Sequence, residues 1–133
     1  MAELFSDDWM KIYMEEWNKE PEVAEALAKL NFNSNIAYGI EGEDKPRGVI
    51  IIENGKVMSA GTYNGEELNW DLRASQKNWE KWITGGIGMA SLGMAYASRK
   101  LKFAVGDYTK MIKDPRMAGP FVKSFSVMGR VAV

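Results

Sequence analysis

The stretch Glu67-Leu68-Asn69-Trp70-Asp71-Leu72-Arg73-Ala74-Ser75-Gln76-Lys77-Asn78-Trp79-Glu80-Lys81-Trp82-Ile83 changes its period part-way along. Over the first eight residues Leu68, Trp70, Leu72 and Ala74 alternate with Glu67, Asn69, Asp71 and Arg73. That alternation predicts a strand with one covered face and one wet face. Ser75 then offers a hydroxyl to the free amides of a helix start, and Trp79, Trp82 and Ile83 share a helical face that ends at Gly85-Gly86. A sheet therefore gives way directly to a helix that can cover it.

Upstream, more strands precede this one. Val49-Ile50-Ile51-Ile52 is β-branched throughout, and the Asn54-Gly55 pair that follows tolerates the positive φ angles of a type I′ turn. Lys56 to Tyr63 should return as the antiparallel partner. Asn64-Gly65 repeats the turn signal ahead of the quoted strand, and Ile36, Tyr38 and Ile40 alternate as an earlier one. Before the strands, Ser6-Asp7-Asp8 reads as a helix start carrying Trp9, Ile12, Tyr13, Met14 and Trp17. Pro21 opens a second helix with Val23, Leu27 and Leu30 on one side.

Downstream, a helix from about Ile87 to Arg99 holds Met89, Leu92, Met94 and Tyr96 among small residues. Leu101, Phe103 and Val105 form a fifth strand, its partner not fixed by the sequence. A short helix over Tyr108 to Lys113 and a terminal one from Pro120 to about Gly129 follow, the latter with Phe121, Phe125 and Met128 as a stripe. The order α-α-β-β-β-β-α-α-β-α-α, with the first strands read as an antiparallel meander, predicts an α+β two-layer sandwich.

Composition narrows the chemistry. The 133 residues suit one domain, and 46% hydrophobic with 26% charged residues is a globular composition. No cysteine means no disulfide, thiolate nucleophile or cysteine-held metal; no histidine removes the usual catalytic relays and the usual ligands of zinc and haem. With 17 basic against 18 acidic residues there is no overall charge signal for nucleic acid. The start, Met1 to Asp8, lacks the pattern of a signal peptide, and no run reaches the ~20 apolar residues of a membrane span, so a cytoplasmic location is expected.

Gly86-Ile87-Gly88-Met89-Ala90-Ser91 superficially resembles a phosphate cradle, but it follows a helix rather than a strand and lacks Gly-Lys-Ser/Thr. Its glycines fit either close backbone packing or room for a ligand. Asp71 and Arg73 read as a solvated pair on the wet face, and Asp107 as a turn or cap acid. Nine methionines and five tryptophans are more than one sheet face and its helices need, though core packing can absorb many of them.

Taken in order, Trp17-Asn18 with Pro21, the strand pair from Gly48 to Tyr63, the segment Leu72 to Ile83, Lys100-Leu101-Lys102-Phe103-Ala104-Val105-Gly106-Asp107 and the closing helix Phe121 to Val131 resemble the sterol carrier protein-2 (SCP-2) family. The resemblance covers nearly the whole chain, read as a single SCP-2-like lipid-binding domain over residues 1–133. It implies a five-stranded, mostly antiparallel sheet with helices packed on one face and a hydrophobic tunnel between the layers. It further implies non-catalytic carriage of a fatty acid, fatty acyl-CoA or other lipid. The chain departs from eukaryotic members in ending Val131-Ala132-Val133 rather than in a peroxisomal address.

From helix faces and family position, the expected lining is Trp79, Trp82, Ile83, Ile87, Met89, Leu92, Met111, Phe121, Phe125 and Met128. No catalytic residue, metal or cofactor is expected. A lipid ligand is the expected partner, with transient membrane-surface contact and a homodimer left open. Two rivals stand beside the carrier: an isomerase or cyclase using Tyr96, Tyr108 and Asp107, and a module dimerising through exposed Trp and Met.

Overall fold

A computed structural model describes residues 3–131. Met1 and Ala2, and Ala132 and Val133 of the ending compared with a peroxisomal address, lie outside the described residues.

Helix α1 spans Asp7–Lys19 and starts where the sequence signals it, with the Ser6 hydroxyl accepting from the Trp9 amide at 3.3 Å. Its buried side, Trp9, Met10, Tyr13 and Trp17, lies against the sheet. The segment opened by Pro21 is wound wide, as a π-helical turn Pro21–Glu25, and then tightens into α2, Ala26–Ala28. It ends at Asn31, which takes a positive φ of 51°.

Strands β1 (Ser34–Ile40), β2 (Gly48–Glu53) and β3 (Lys56–Thr62) pair antiparallel in sequence. The β2–β3 turn has positive φ at both Asn54 (50°) and Gly55 (82°), the type I′ geometry the sequence predicts. Gly55 is required on a second ground, because a Cβ there would collide with the backbone of Ala24 and Ala28.

Strand β4 (Trp70–Ala74) departs from the meander expectation. It pairs in parallel with β1, Ile36 opposite Trp70 and Ile40 opposite Ala74, so the sheet order is β3-β2-β1-β4-β5. Asn64-Gly65 therefore turns the chain without forming a hairpin. The physical reason lies at the outer edge of β3, which α1 already occupies. Asn18 exchanges two bonds with Val57 (Nδ2 to O 3.0 Å, N to Oδ1 2.8 Å), and the Thr62 amide donates to Asp7 at 3.1 Å. With that edge satisfied by a helix, no strand can add there. The crossing is fixed on the other side of β1, where the Asn69 side chain accepts from the Asn35 amide at 2.9 Å and the Asn35 side chain donates to the Glu67 carbonyl at 2.8 Å.

Strand β5 (Lys102–Val105) pairs antiparallel with β4 and completes a five-stranded, mostly antiparallel sheet. Helices α3 (Gln76–Gly85), α4 (Met89–Ala97), α5 (Tyr108–Lys113) and α6 (Pro115–Met128) complete the α+β arrangement. The Ser75 hydroxyl caps α3 by accepting from the Asn78 amide at 3.1 Å. Helix α6 begins five residues before the sequence reading placed it. Asp114 accepts from the Arg116 amide and Pro115 takes the first turn, so this cap and proline outrank Pro120, which is buried inside the helix.

The core is aromatic. Phe5, Trp9, Tyr38 and Trp79 meet in edge-on and stacked pairs at 5.0–6.1 Å, and Phe125 stacks on Trp79 at 6.0 Å. On the opposite face, Asp71 and Arg73 do not form the solvated pair expected. The guanidinium grips Asp71 through Nε (2.6 Å) and a terminal nitrogen (2.9 Å) and donates to the Glu43 carbonyl at 2.8 Å. The arginine lies across Gly39, which has no side chain to block it, and both charged groups are largely buried.

Two buried tyrosines give the fold an alkaline limit. The hydroxyls of Tyr13 and Tyr38 lie 3.2 Å apart, and burial pushes both well above the usual phenol pKa, with the neighbouring phenol adding to the rise at Tyr13. A phenol whose folded pKa is raised contributes stability that is complete below the unfolded value of ~10 and is lost as pH climbs past it. Alkaline titration followed by tyrosinate absorbance should leave Tyr13 and Tyr38 un-ionised until circular dichroism reports unfolding. Reversible ionisation of all five tyrosines with the fold intact would refute this.

Candidate functional site

Between the sheet and the last two helices the packing is incomplete. Ile36 of β1 with Trp70 and Leu72 of β4 form a floor; Trp17, Leu27 and Phe32 form a wall; Met111 of α5 with Met117 and Phe121 of α6 form a roof. The resulting cleft has a cavity volume of about 30 Å³ and reaches solvent. That is room for one or two waters, yet the nine lining residues are all hydrophobic.

Outside it lies a wider open hollow of about 420 Å³ that shares Phe32, Trp70, Met111 and Met117 with the cleft. Its rim adds Asn33, Ser34, Asn69, Asp107 and Lys110. Ser34 is buried, and its hydroxyl has no hydrogen-bond partner among the described residues. An unpaired buried hydroxyl costs about 1–3 kcal/mol, so a group arriving at this rim has a ready partner. Asp107 is committed to capping α5, accepting from the Thr109 and Lys110 amides.

Of the ten residues expected to line a tunnel, Met111 and Phe121 line this cleft. Trp79, Leu92, Phe125 and Met128 are fully buried, and Trp82 nearly so, in the packed core. The Trp79 indole donates to the Gly39 carbonyl at 2.9 Å, which ties it to the sheet. Ile83 borders a separate open hollow with Leu4, Trp9 and Gln76; Ile87 is half-buried and Met89 is exposed. The glycines ahead of α4 do not serve close packing, since a Cβ at Gly85, Gly86 or Gly88 would meet nothing within 4 Å, and Gly86 takes the positive φ of 77° that ends α3.

Met117 had a readable signal, standing four residues before Phe121 on one helix face, but a helix begun at Pro120 leaves it outside. Phe32, a lone large apolar residue between two asparagines, was the other available hint. Of the residues of the enzyme reading, Asp107 stands on the rim as a helix cap and the two tyrosines lie apart from the cleft. Tyr96 and Tyr108 stack at 4.2 Å, the Tyr108 hydroxyl held above its ordinary pKa by burial and by Tyr96, and neither lines the cleft.

Among the described residues no group of acidic side chains is placed to hold a metal ion, and no helix is long and apolar enough to cross a membrane. No protein-family model and no curated protein matches the chain. Solved structures do. A crystal structure of sterol carrier protein 2 superposes with a TM-score of 0.77 at 19% identity, covering 98% of this chain and 100% of that one. The solution structure of a conserved hypothetical protein from Thermus thermophilus gives 0.72 at 18% identity, over 99% and 92%. Apo sterol carrier protein 2 from Yarrowia lipolytica gives 0.53 at 13% identity, over 90% and 88%. Identities this low speak to architecture, and by architecture the chain has the SCP-2 fold.

Proposed function

We propose that the chain binds and carries a molecule with an apolar tail, a fatty acid, fatty acyl-CoA or other lipid, without changing it chemically. The observation that carries this reading is the cleft. Its lining is wholly hydrophobic, it is open to solvent, and its rim supplies polar groups for a head group at Ser34, Asn69 and Lys110. The likeness of fold to proteins named as sterol carriers supports it.

At about 30 Å³ the cleft admits water and not an alkyl tail. Loading therefore requires α5 and the first turns of α6 to move outward, lifting Met111, Met117 and Phe121 off the strands. Two of those three are methionines, whose unbranched side chains repack at low cost. Each methylene taken from water contributes about 0.8 kcal/mol, so a ~12-carbon tail yields about 10 kcal/mol before association, ordering and opening are subtracted. Micromolar affinity needs about 8 kcal/mol net. The margin is thin for short tails, and longer ones are favoured.

Displacement of a fluorescent fatty acid by a series of saturated acids should therefore show affinity rising with tail length until the opened cleft is full. Native mass spectrometry of the purified protein should show co-purified lipid. A protein that takes up neither probe nor lipid would end this reading.

A further inference from the structure

The near-zero net charge conceals a division along the chain. Residues 1–80 hold 8 basic and 16 acidic side chains, and residues 81–133 hold 9 basic and 2 acidic, so the two parts carry −8 and +7. Of the nine basic residues in the second part, Lys102, Arg116, Lys123 and Arg130 are engaged in ion pairs. Lys81, Arg99, Lys100, Lys110 and Lys113 have none among the described residues.

Helix α4 sits within this basic part and is apolar on its outer side as well. From Trp82 to Ser98 there is no charged residue. Leu92 and Ala95 are the buried residues of α4, and Met94 (73% exposed), Met89 (44%) and Tyr96 (37%) face water, together with Ala90 and Ala97. A helix apolar all round is normally covered, and an uncovered one marks an interaction surface.

The charges decide what covers it. Lys81 precedes the uncharged stretch, and Arg99 and Lys100 follow it directly. A second copy docking by twofold symmetry would bring two copies of the same positively charged face together, and like charges repel. An anionic bilayer satisfies both features, taking the methionines at the boundary between head groups and acyl chains while the cations meet acidic head groups. We infer that the α4 face, with Met89, Met94, Arg99 and Lys100, docks on an anionic membrane surface.

The same corner holds the mouth of the cleft. Gly106 and Asp107 border both the hollow beside the end of α4 and the hollow outside the cleft, so a docked molecule has its rim close to the bilayer. The docking inference stands independently of whether the cleft takes a tail.

The test is co-sedimentation of the full chain with vesicles of phosphatidylcholine alone and of phosphatidylcholine with about one-third phosphatidylglycerol. The wild type should partition about tenfold better to the anionic vesicles at low salt, and salt should release it. Met94→Glu should lower partitioning at least ~tenfold, and Lys100→Glu should do so on anionic vesicles alone. Both sites are exposed, so matched thermal melts should report an intact fold. Met58→Glu, exposed on β3 at the opposite edge of the sheet, should bind like wild type. Absence of binding to anionic vesicles, wild-type binding by both α4 variants, or an equal loss in Met58→Glu would overturn the inference. So would a lipid-free dimer that Met94→Glu dissociates, which would assign the face to a second copy.

Discussion

Trp79→Ala is expected to lower the free energy of unfolding by about 3–5 kcal/mol, the range for truncating a large aromatic residue in a packed core. The ring is fully buried, touches Phe5, Tyr38, Trp82 and Phe125, and donates its indole hydrogen to the Gly39 carbonyl. Removing it leaves a void and an acceptor without its donor, two losses in one place. Urea unfolding should show the midpoint falling with little change in slope. Against a total stability of ~5–15 kcal/mol this is a large share, and a protein near the bottom of that range would be left barely folded. A loss below about 1 kcal/mol would mean that Trp79 is not closely packed and that the expected tunnel position for it deserves renewed weight.

That result also bears on what the sequence allowed one to read. Three local signals were legible, Ser6, Ser75 and Asn54-Gly55, which stand where their side chains and backbone angles demand, while the equally local Asp114-Pro115 cap of α6 was masked by the competing Pro120. The place of β4 was not legible. Asn64-Gly65 carries the same local preference as Asn54-Gly55, and what separates them is the distant pairing of Asn18 and Asp7 with the edge of β3. Burial of Asp71 likewise depends on Arg73 reaching across Gly39 to Glu43, three segments that only the folded sheet brings together. The cleft follows the same rule. Periodicity shows that a residue faces inward, but core and cleft lining are both inward, and Phe125 and Phe121, one turn apart on α6, fall on opposite sides of that distinction. Charge segregation was open to inspection from the start and is hidden only when net charge is taken over the whole chain.

The inward residues differ in which of them can test binding without unfolding the protein. Leu92→Glu would bury a carboxylate where the residue is fully enclosed, so its failure to bind would report a damaged core. Met117 is only partly buried and lies at the junction of the cleft and its outer hollow, where a glutamate can turn its carboxylate to water in the empty protein. A tail entering the cleft must then either displace that carboxylate or strip its water. Met117→Glu is accordingly expected to weaken fatty-acid binding at least ~100-fold, equivalent to about 2.7 kcal/mol, with a melting curve close to wild type. Repulsion between two carboxylates would contribute with a fatty acid and not with a fatty alcohol, so the alcohol isolates the desolvation cost. Met117→Trp supplies a second route to the same answer, since it fills the cleft without charge and should weaken both ligands alike. If both variants displace the fluorescent probe within about twofold of wild type, the tail lies elsewhere and the cleft is only a packing defect.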